Sequence, residues 1–269
     1  MAEAQSTTAH HQTALITGAS SGIGAAYAQQ LAAQGYNLIL TARREDRLLE
    51  LAAELQTRHA INVRIVAADL AAEDGIQAVE RVIRETPHLT MLINNAGFGN
   101  HGQFTEIELH KILDMITVHI TASVRLIHAA LPGMLARNTG SIINVSSVAA
   151  FSHGGGSPGY SASKAYLNVF SINLQAELKR TGIRVQALCP GFTITEFHDR
   201  EIAGGHFRRA DYPDWMWMHA DDVVAESLAA LKTKKVIVIP GAQYKLLVRL
   251  AGTGIIPMAR RVLRLVRRR

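Results

Sequence analysis

The chain has 269 residues, 48% of them hydrophobic and 19% charged, which suits one large buried core and excludes compositional disorder away from the ends. Its net charge of +6 is carried by Arg260, Arg261, Arg264, Arg267, Arg268 and Arg269. Removing those six from the 28 basic residues leaves 22 against 22 acids, a neutral body that excludes a nucleic-acid groove. The single cysteine, Cys189, excludes an intramolecular disulfide and a thiolate zinc site, and the 12 histidines form no His-Glu-x-x-His pattern, so no metal is expected.

A polar tail, residues 1–12, lacks the apolar core of a signal peptide, and no run approaches about 18 uninterrupted apolar residues. A reducing, cytoplasmic setting is expected. Strands are predicted at Ala14–Thr17, Asn37–Thr41, Val63–Ala67, Met91–Ile93, Ser141–Val145, Arg184–Leu188 and Lys235–Ile239, most of them unbroken apolar runs. Such runs belong to parallel strands buried on both faces. Helical spacing lies between them at Gly22–Gln34, Arg44–His59, Asp74–Thr86, Glu108–Arg137 and Tyr160–Thr181. Strand–helix alternation implies right-handed βαβ units and an α/β fold, a single-domain Rossmann-type doubly wound parallel sheet in a three-layer α/β/α sandwich. One domain over 13–254 is expected, with 197–218 as a lid over the substrate and 255–269 as a basic amphipathic tail.

The first strand ends at Thr17, and Gly18-Ala19-Ser20-Ser21-Gly22-Ile23-Gly24 then opens a helix. Gly18 permits a tight turn, Gly22 lets backbone approach pyrophosphate, and Gly24 lets the helix pack on the strand. The helix N-terminus offers free N–H groups and a positive dipole end to phosphate. Ser20, Ser21 and Ile23 therefore join the three glycines as coenzyme-facing candidates. The second strand ends in Thr41-Ala42-Arg43-Arg44, without the acid that would accept a hydrogen bond from a ribose 2′-hydroxyl. Arg43 and Arg44 suit a 2′-phosphate instead, so NADP is expected over NAD, unless they only begin a solvated helix. Asp69 and Leu70 follow the third strand and Asn94-Asn95-Ala96-Gly97 the fourth, placing them near adenine and the adenosine ribose, or else in strand-ending turns.

Tyr160 and Lys164 stand four residues apart, with Ser147 thirteen residues upstream. On a helix, residues at i and i+4 share a face with Cβ atoms roughly 6 Å apart. An ammonium there can lower the pKa of a phenol, ordinarily about 10. A proton donor beside a dinucleotide site is suited to reducing a carbonyl or oxidising an alcohol.

In combination these motifs closely resemble the short-chain dehydrogenase/reductase family of single-domain type, from about residue 12 to residue 195. The resemblance implies that Tyr160 is the acid/base, that Ser147 hydrogen-bonds the substrate oxygen, and that Lys164 holds the nicotinamide ribose, with Tyr160 and Lys164 both facing the coenzyme. It implies that Asn95, Ala96 and Gly97 border the coenzyme and that Pro190, Gly191 and Thr195 line the nicotinamide. It also implies a homodimer or homotetramer built on the two long helices.

One position departs from the family. His119 stands where an asparagine usually helps hold a water in the proton relay. Histidine donates and accepts, so it could sustain the relay with a charge varying near pH 6.5, or it could be a packed helix residue. The second case would leave a nucleotide-binding regulator or scaffold with weakened catalysis as the alternative function. Phe207, Tyr212, Trp215, Met216, Trp217 and Met218 gather in the lid segment, as a pocket for an apolar carbonyl compound or as core packing. In the tail, Ile255, Met258, Val262, Leu265 and Val266 share one helical face opposite the arginines. Such a helix lies peripherally on an anionic membrane, or docks on the protein or a partner subunit.

Overall fold

The structure, a computed structural model, describes residues 12–100, 102–151, 157–197 and 212–251. The expectations for the N-terminal tail, for Phe207 and most of the lid segment, and for the arginine-rich tail lie outside the described residues.

Seven parallel strands form the main sheet: β1 (Thr13–Thr17), β2 (Asn37–Ala42), β3 (Val63–Ala67), β4 (Leu89–Asn94), β5 (Gly140–Val145), β6 (Ile183–Leu188) and β9 (Ile237–Val238). Their order is β3-β2-β1-β4-β5-β6-β9, so the order in which strands are added reverses between β1 and β4. A crevice opens at such a point beyond the carboxyl ends of the strands. A second, two-stranded parallel sheet pairs β7 (Thr193–Ile194) with β8 (Met218–His219).

The period of two along each strand feeds two separate cores. Ala14 and Ile16, Leu38 and Leu40, and Met91 and Ile93 face one layer. There they meet Tyr27 and Leu31 of α1 (Gly22–Ala33), Leu48 and Leu55 of α2 (Glu45–His59), and Val223 and Val224 of α7 (Ala220–Ala230). Leu15, Ile39 and Leu92 face the opposite layer, against Ile76 and Val79 of α3 (Glu73–Arg84) and Leu126 and Met134 of α5 (Ser123–Arg137). Each fully buried leucine or isoleucine contributes roughly 1.5–3 kcal/mol. This two-sided burial is why the strands read as unbroken apolar runs.

The helix expected over Glu108–Arg137 is not uniform. It runs as α4 (Leu109–Ile116), a π-helical turn (Thr117–Ala122) and α5. The β-branched residues Ile116, Thr117, Val118, Ile120 and Thr121 crowd the turn and weaken regular α-helix there. Taken whole, Leu109–Arg137 is long and apolar enough to cross a membrane by length and composition, although polar residues interrupt it. It packs as a core helix: Leu126, Ile127, Ala130 and Met134 are buried, and Arg125 is bound by Glu73 and Glu80. The expected helix from Tyr160 is α6, beginning at Pro158 and ending at Glu177. Helices α7 and α8 (Ala242–Ala251) were not anticipated.

Candidate active site

The glycine turn is held from behind by β4. Thr17 Oγ1 accepts the N–H groups of Asn95 and Ala96, both at 2.9 Å. Asn95 Nδ2 donates back to the carbonyls of Thr17 at 2.8 Å and Gly18 at 3.2 Å. The Asn95 side chain is thus a clasp on the turn, and backbone is what it leaves towards the cleft. Gly18 sits at φ +66°, where an L side chain is strained. A Cβ on Gly24 would stand 2.3 Å from the Gly18 carbonyl oxygen, so this glycine lets α1 close on the turn itself. Gly22, at φ +56°, is covered by Thr195, whose Cγ2 would lie 2.9 Å from a Cβ there. Ile23 packs on the first core, while Ser20 and Ser21 remain half-buried at the lip. The N-terminus of α1 carries no side-chain cap. Its first-turn N–H groups and the side-chain-free backbone fit a pyrophosphate.

At the end of β2 the two arginines separate. Arg43 is exposed and forms no ion pair among the described residues. Arg44 turns inward: Nη2 donates to Ser20 Oγ at 3.1 Å and Ser21 Oγ at 3.0 Å, and Nη1 pairs with Glu196 at 2.8 Å. A guanidinium flanked by two hydroxyls fits a phosphate ester. Asp69 is exposed and accepts the Ala71 N–H at 3.0 Å, a turn that begins the link to α3. Leu70 is buried in the second core, so only its backbone is available to an adenine.

Tyr160 and Lys164 share one face of α6, as their spacing requires. Lys164 Nζ lies 5.6 Å from the Tyr160 ring centroid and donates to the Val145 carbonyl at 2.9 Å. Lys164 is buried, and that burial pushes its ammonium down to about 8. Gly97 is exposed at the end of β4, and a Cβ there would come within 3.5 Å of the same Nζ. The two serines after β5 also separate. Ser146 is buried, and its hydroxyl donates to the Lys164 carbonyl at 2.8 Å, fastening α6 to the sheet. Ser147 is half-buried, with its Oγ accepting the Ala149 N–H at 3.1 Å.

His119, in the π-helical turn, is 1% exposed. Its Nε2 accepts the Phe98 N–H at 3.2 Å, and its Nδ1 lies 2.9 Å from Ser163 Oγ, which itself donates to the Tyr160 carbonyl at 2.8 Å. The network assigns the ring proton to Nδ1. Burial, and then the Lys164 charge, hold its pKa well below 6.5. The expectation of a charge varying near pH 6.5 is therefore corrected: the imidazole is sealed and neutral, with both nitrogens engaged by protein. Its ring meets that of Tyr160 edge-on at 5.7 Å.

The loop after β6 carries Pro190 and Gly191 to the cleft, and a residue missed in the sequence braces it. Tyr244 of α8 lays its ring on Gly191, where a Cβ would sit on the ring carbons. Its hydroxyl accepts the Phe192 N–H at 2.8 Å and donates to the Met216 carbonyl at 2.5 Å. Phe192 stacks on Trp217 at 5.1 Å and meets Tyr212 at 4.5 Å, while Trp215 is 60% exposed. The described part of the lid segment therefore divides between packing and exposure. Phe197 brings its ring to 6.1 Å from that of Tyr160. Among the described residues no three His, Cys, Asp or Glu side chains gather as a metal set.

The short chain dehydrogenase family profile matches residues 12–204. The chain is 41% identical over 217 residues to sulfoacetaldehyde reductase 2 of Chromohalobacter salexigens, covering 78% of this chain and 84% of that one. Its fold is similar to a short-chain dehydrogenase of Sphingobium yanoikuyae solved with NADPH, at TM-score 0.80 and 36% identity over 94% of both chains. It is also similar to a bulky-bulky ketone specific alcohol dehydrogenase of Comamonas testosteroni, at TM-score 0.77 and 32% identity over 91% of this chain and 94% of that one. The glycine turn, the Tyr160–Lys164 face and these matches lead to one conclusion: the chain belongs to the short chain dehydrogenase family of NAD(P)-dependent oxidoreductases, which move hydride between a carbonyl and an alcohol.

Proposed function

We propose that the chain is an NADP(H)-dependent reductase of an apolar carbonyl compound, with Tyr160 as its acid. The observation that carries this reading is the buried Lys164 ammonium 5.6 Å from the Tyr160 ring, beside the uncapped glycine turn. When bound, the reduced coenzyme supplies hydride to the carbonyl carbon. Tyr160 gives its phenolic proton to the carbonyl oxygen, and Ser147 donates a hydrogen bond that orients the same oxygen. Lys164 stabilises the phenolate left behind, each pKa unit being about 1.4 kcal/mol, and binds the nicotinamide ribose. His119 acts by position, holding the Phe98 backbone and Ser163 around Tyr160.

Arg44, with Ser20 and Ser21, would hold the 2′-phosphate, and the NADPH bound by the Sphingobium relative supports that preference. The turn from Gly18 to Gly22 would admit the pyrophosphate, with Gly24 letting α1 close behind it, Asp69, Leu70, Asn95, Ala96 and Gly97 would border the adenosine, and Pro190, Gly191 and Thr195 the nicotinamide. Phe192, Tyr212 and Phe197, backed by the buried Trp217, offer aromatic surface to a bulky apolar substrate, a reading supported by the Comamonas relative. Leu109 and Leu113 on α4 and Val169 and Ile172 on α6 are all exposed apolar residues, which supports assembly into a dimer or tetramer through those helices. A cytoplasmic protein with its basic tail on an anionic membrane or a partner subunit remains our proposal for its setting. The test is a panel of bulky ketones and aldehydes with NADPH or NADH, following loss of reduced coenzyme. Turnover with NADPH supports the reading. No turnover with any carbonyl would favour the nucleotide-binding regulator.

A further inference from the structure

We propose that Glu196 is a specificity-determining residue that competes with the coenzyme's 2′-phosphate for Arg44. The inference rests on the NADP reading and adds a carboxylate 152 residues away in sequence from the cation it engages. Arg44 has both terminal nitrogens committed, Nη1 to Glu196 at 2.8 Å and Nη2 to Ser20 and Ser21 at 3.1 and 3.0 Å. A phosphate taking this guanidinium must displace the carboxylate or stand beside it. A 2′-phosphate carries close to two negative charges at neutral pH, so sharing the cation brings like-charge repulsion.

The residues on either side of Glu196 are both packed into the cleft wall. Thr195 on one side is packed over Gly22, and Phe197 on the other lies against the Tyr160 ring. Yet the pair is easily exchanged, because the Arg44 and Glu196 side chains are 33% and 41% exposed and water screens their attraction. A ribose 2′-hydroxyl has the opposite effect on the site, since it can donate a hydrogen bond to the carboxylate. Glu196 thus narrows the gap between NADPH and NADH that Arg44 alone would set. A residue that merely braced the loop would move both affinities together.

The test is direct titration of the native protein, Glu196→Gln, Glu196→Asp, Arg44→Gln and the Arg44→Gln/Glu196→Gln double variant with NADPH and, separately, NADH, read by coenzyme fluorescence. Glu196→Gln should tighten NADPH about three- to tenfold while NADH stays unchanged or weakens. Glu196→Asp, which keeps the charge, should stay within about twofold of the native ratio, and the tightening should vanish in the Arg44→Gln background. Weaker NADPH binding in Glu196→Gln, an unchanged ratio, or equal loss of both coenzymes would overturn the proposal. Arg44→Gln decides the underlying reading separately. If it fails to weaken NADPH relative to NADH, the NADP assignment falls, and with it the role given to Glu196; if it does so and Glu196→Gln has no effect, only the present inference falls.

Discussion

Replacing His119 with asparagine should remove part of the protein's acid sensitivity. The imidazole is 1% exposed, both nitrogens are occupied, and burial with the nearby Lys164 charge holds its pKa well below 6.5. In the unfolded chain it titrates near about 6.5. Above that pH neither state binds the proton, and His119 adds no pH dependence. Below it the unfolded chain takes up a proton that the folded site refuses, so stability falls as pH falls. The slope approaches at most about 1.4 kcal/mol per pH unit, so the loss between pH 7.5 and 5 has a ceiling of roughly 2 kcal/mol. Asparagine has no such linkage. Urea unfolding of both proteins across that range gives the stability difference, in which the remaining titrating groups cancel. The native protein's stability relative to the variant should be constant above neutrality and decline towards the acid end, by up to about 2 kcal/mol. A difference that stays level throughout would mean the folded imidazole protonates as readily as the unfolded one, and the sealed, neutral assignment would be wrong.

Three further outcomes are expected. With Lys164 at about 8, kcat/KM for carbonyl reduction should fall as pH rises past that value, because the lost ammonium no longer stabilises the phenolate; a level profile to pH 10 would count against its electrostatic role. Ser147→Ala should lower kcat by about a hundredfold or more, whereas Ser146→Ala should spare the chemistry and cost about 1–2 kcal/mol of stability, and the reverse pattern would exchange their roles. Gly24→Ala forces a Cβ to 2.3 Å from the Gly18 oxygen, so coenzyme titration should show at least about tenfold weaker binding; native affinity would show that the turn tolerates the shift.

The central strands were legible because they are buried on both faces, which makes Leu15 and Ile16 equally apolar although they enter different cores. The same property hid phase: with Leu38, Ile39 and Leu40 of β2 apolar in succession, nothing in its pattern says which of Arg43 and Arg44 turns inward. The structure decides it through Ser20, Ser21 and Glu196, which meet only in the fold. The Tyr160–Lys164 face was readable because helical spacing alone creates it. The Tyr244 brace was not, because Gly191 and Tyr244 are brought together by β9 and α8 rather than by local sequence. The π-helical turn left only a faint trace, the β-branched run around Val118 and Ile120. His119 stands out in the sequence as a departure from the family, but its neutrality follows from its burial and from the Lys164 charge, which only the fold brings to it.

The account depends most on Tyr160 as the proton source. Tyr160→Phe keeps the ring against His119, Lys164 and Phe197 and removes only the hydroxyl. With a carbonyl substrate found in the panel, NADPH titration and turnover should be measured on this variant side by side. Coenzyme affinity within about twofold of native, with kcat lowered by at least about a thousandfold, is the predicted result. Turnover near the native rate would contradict the account.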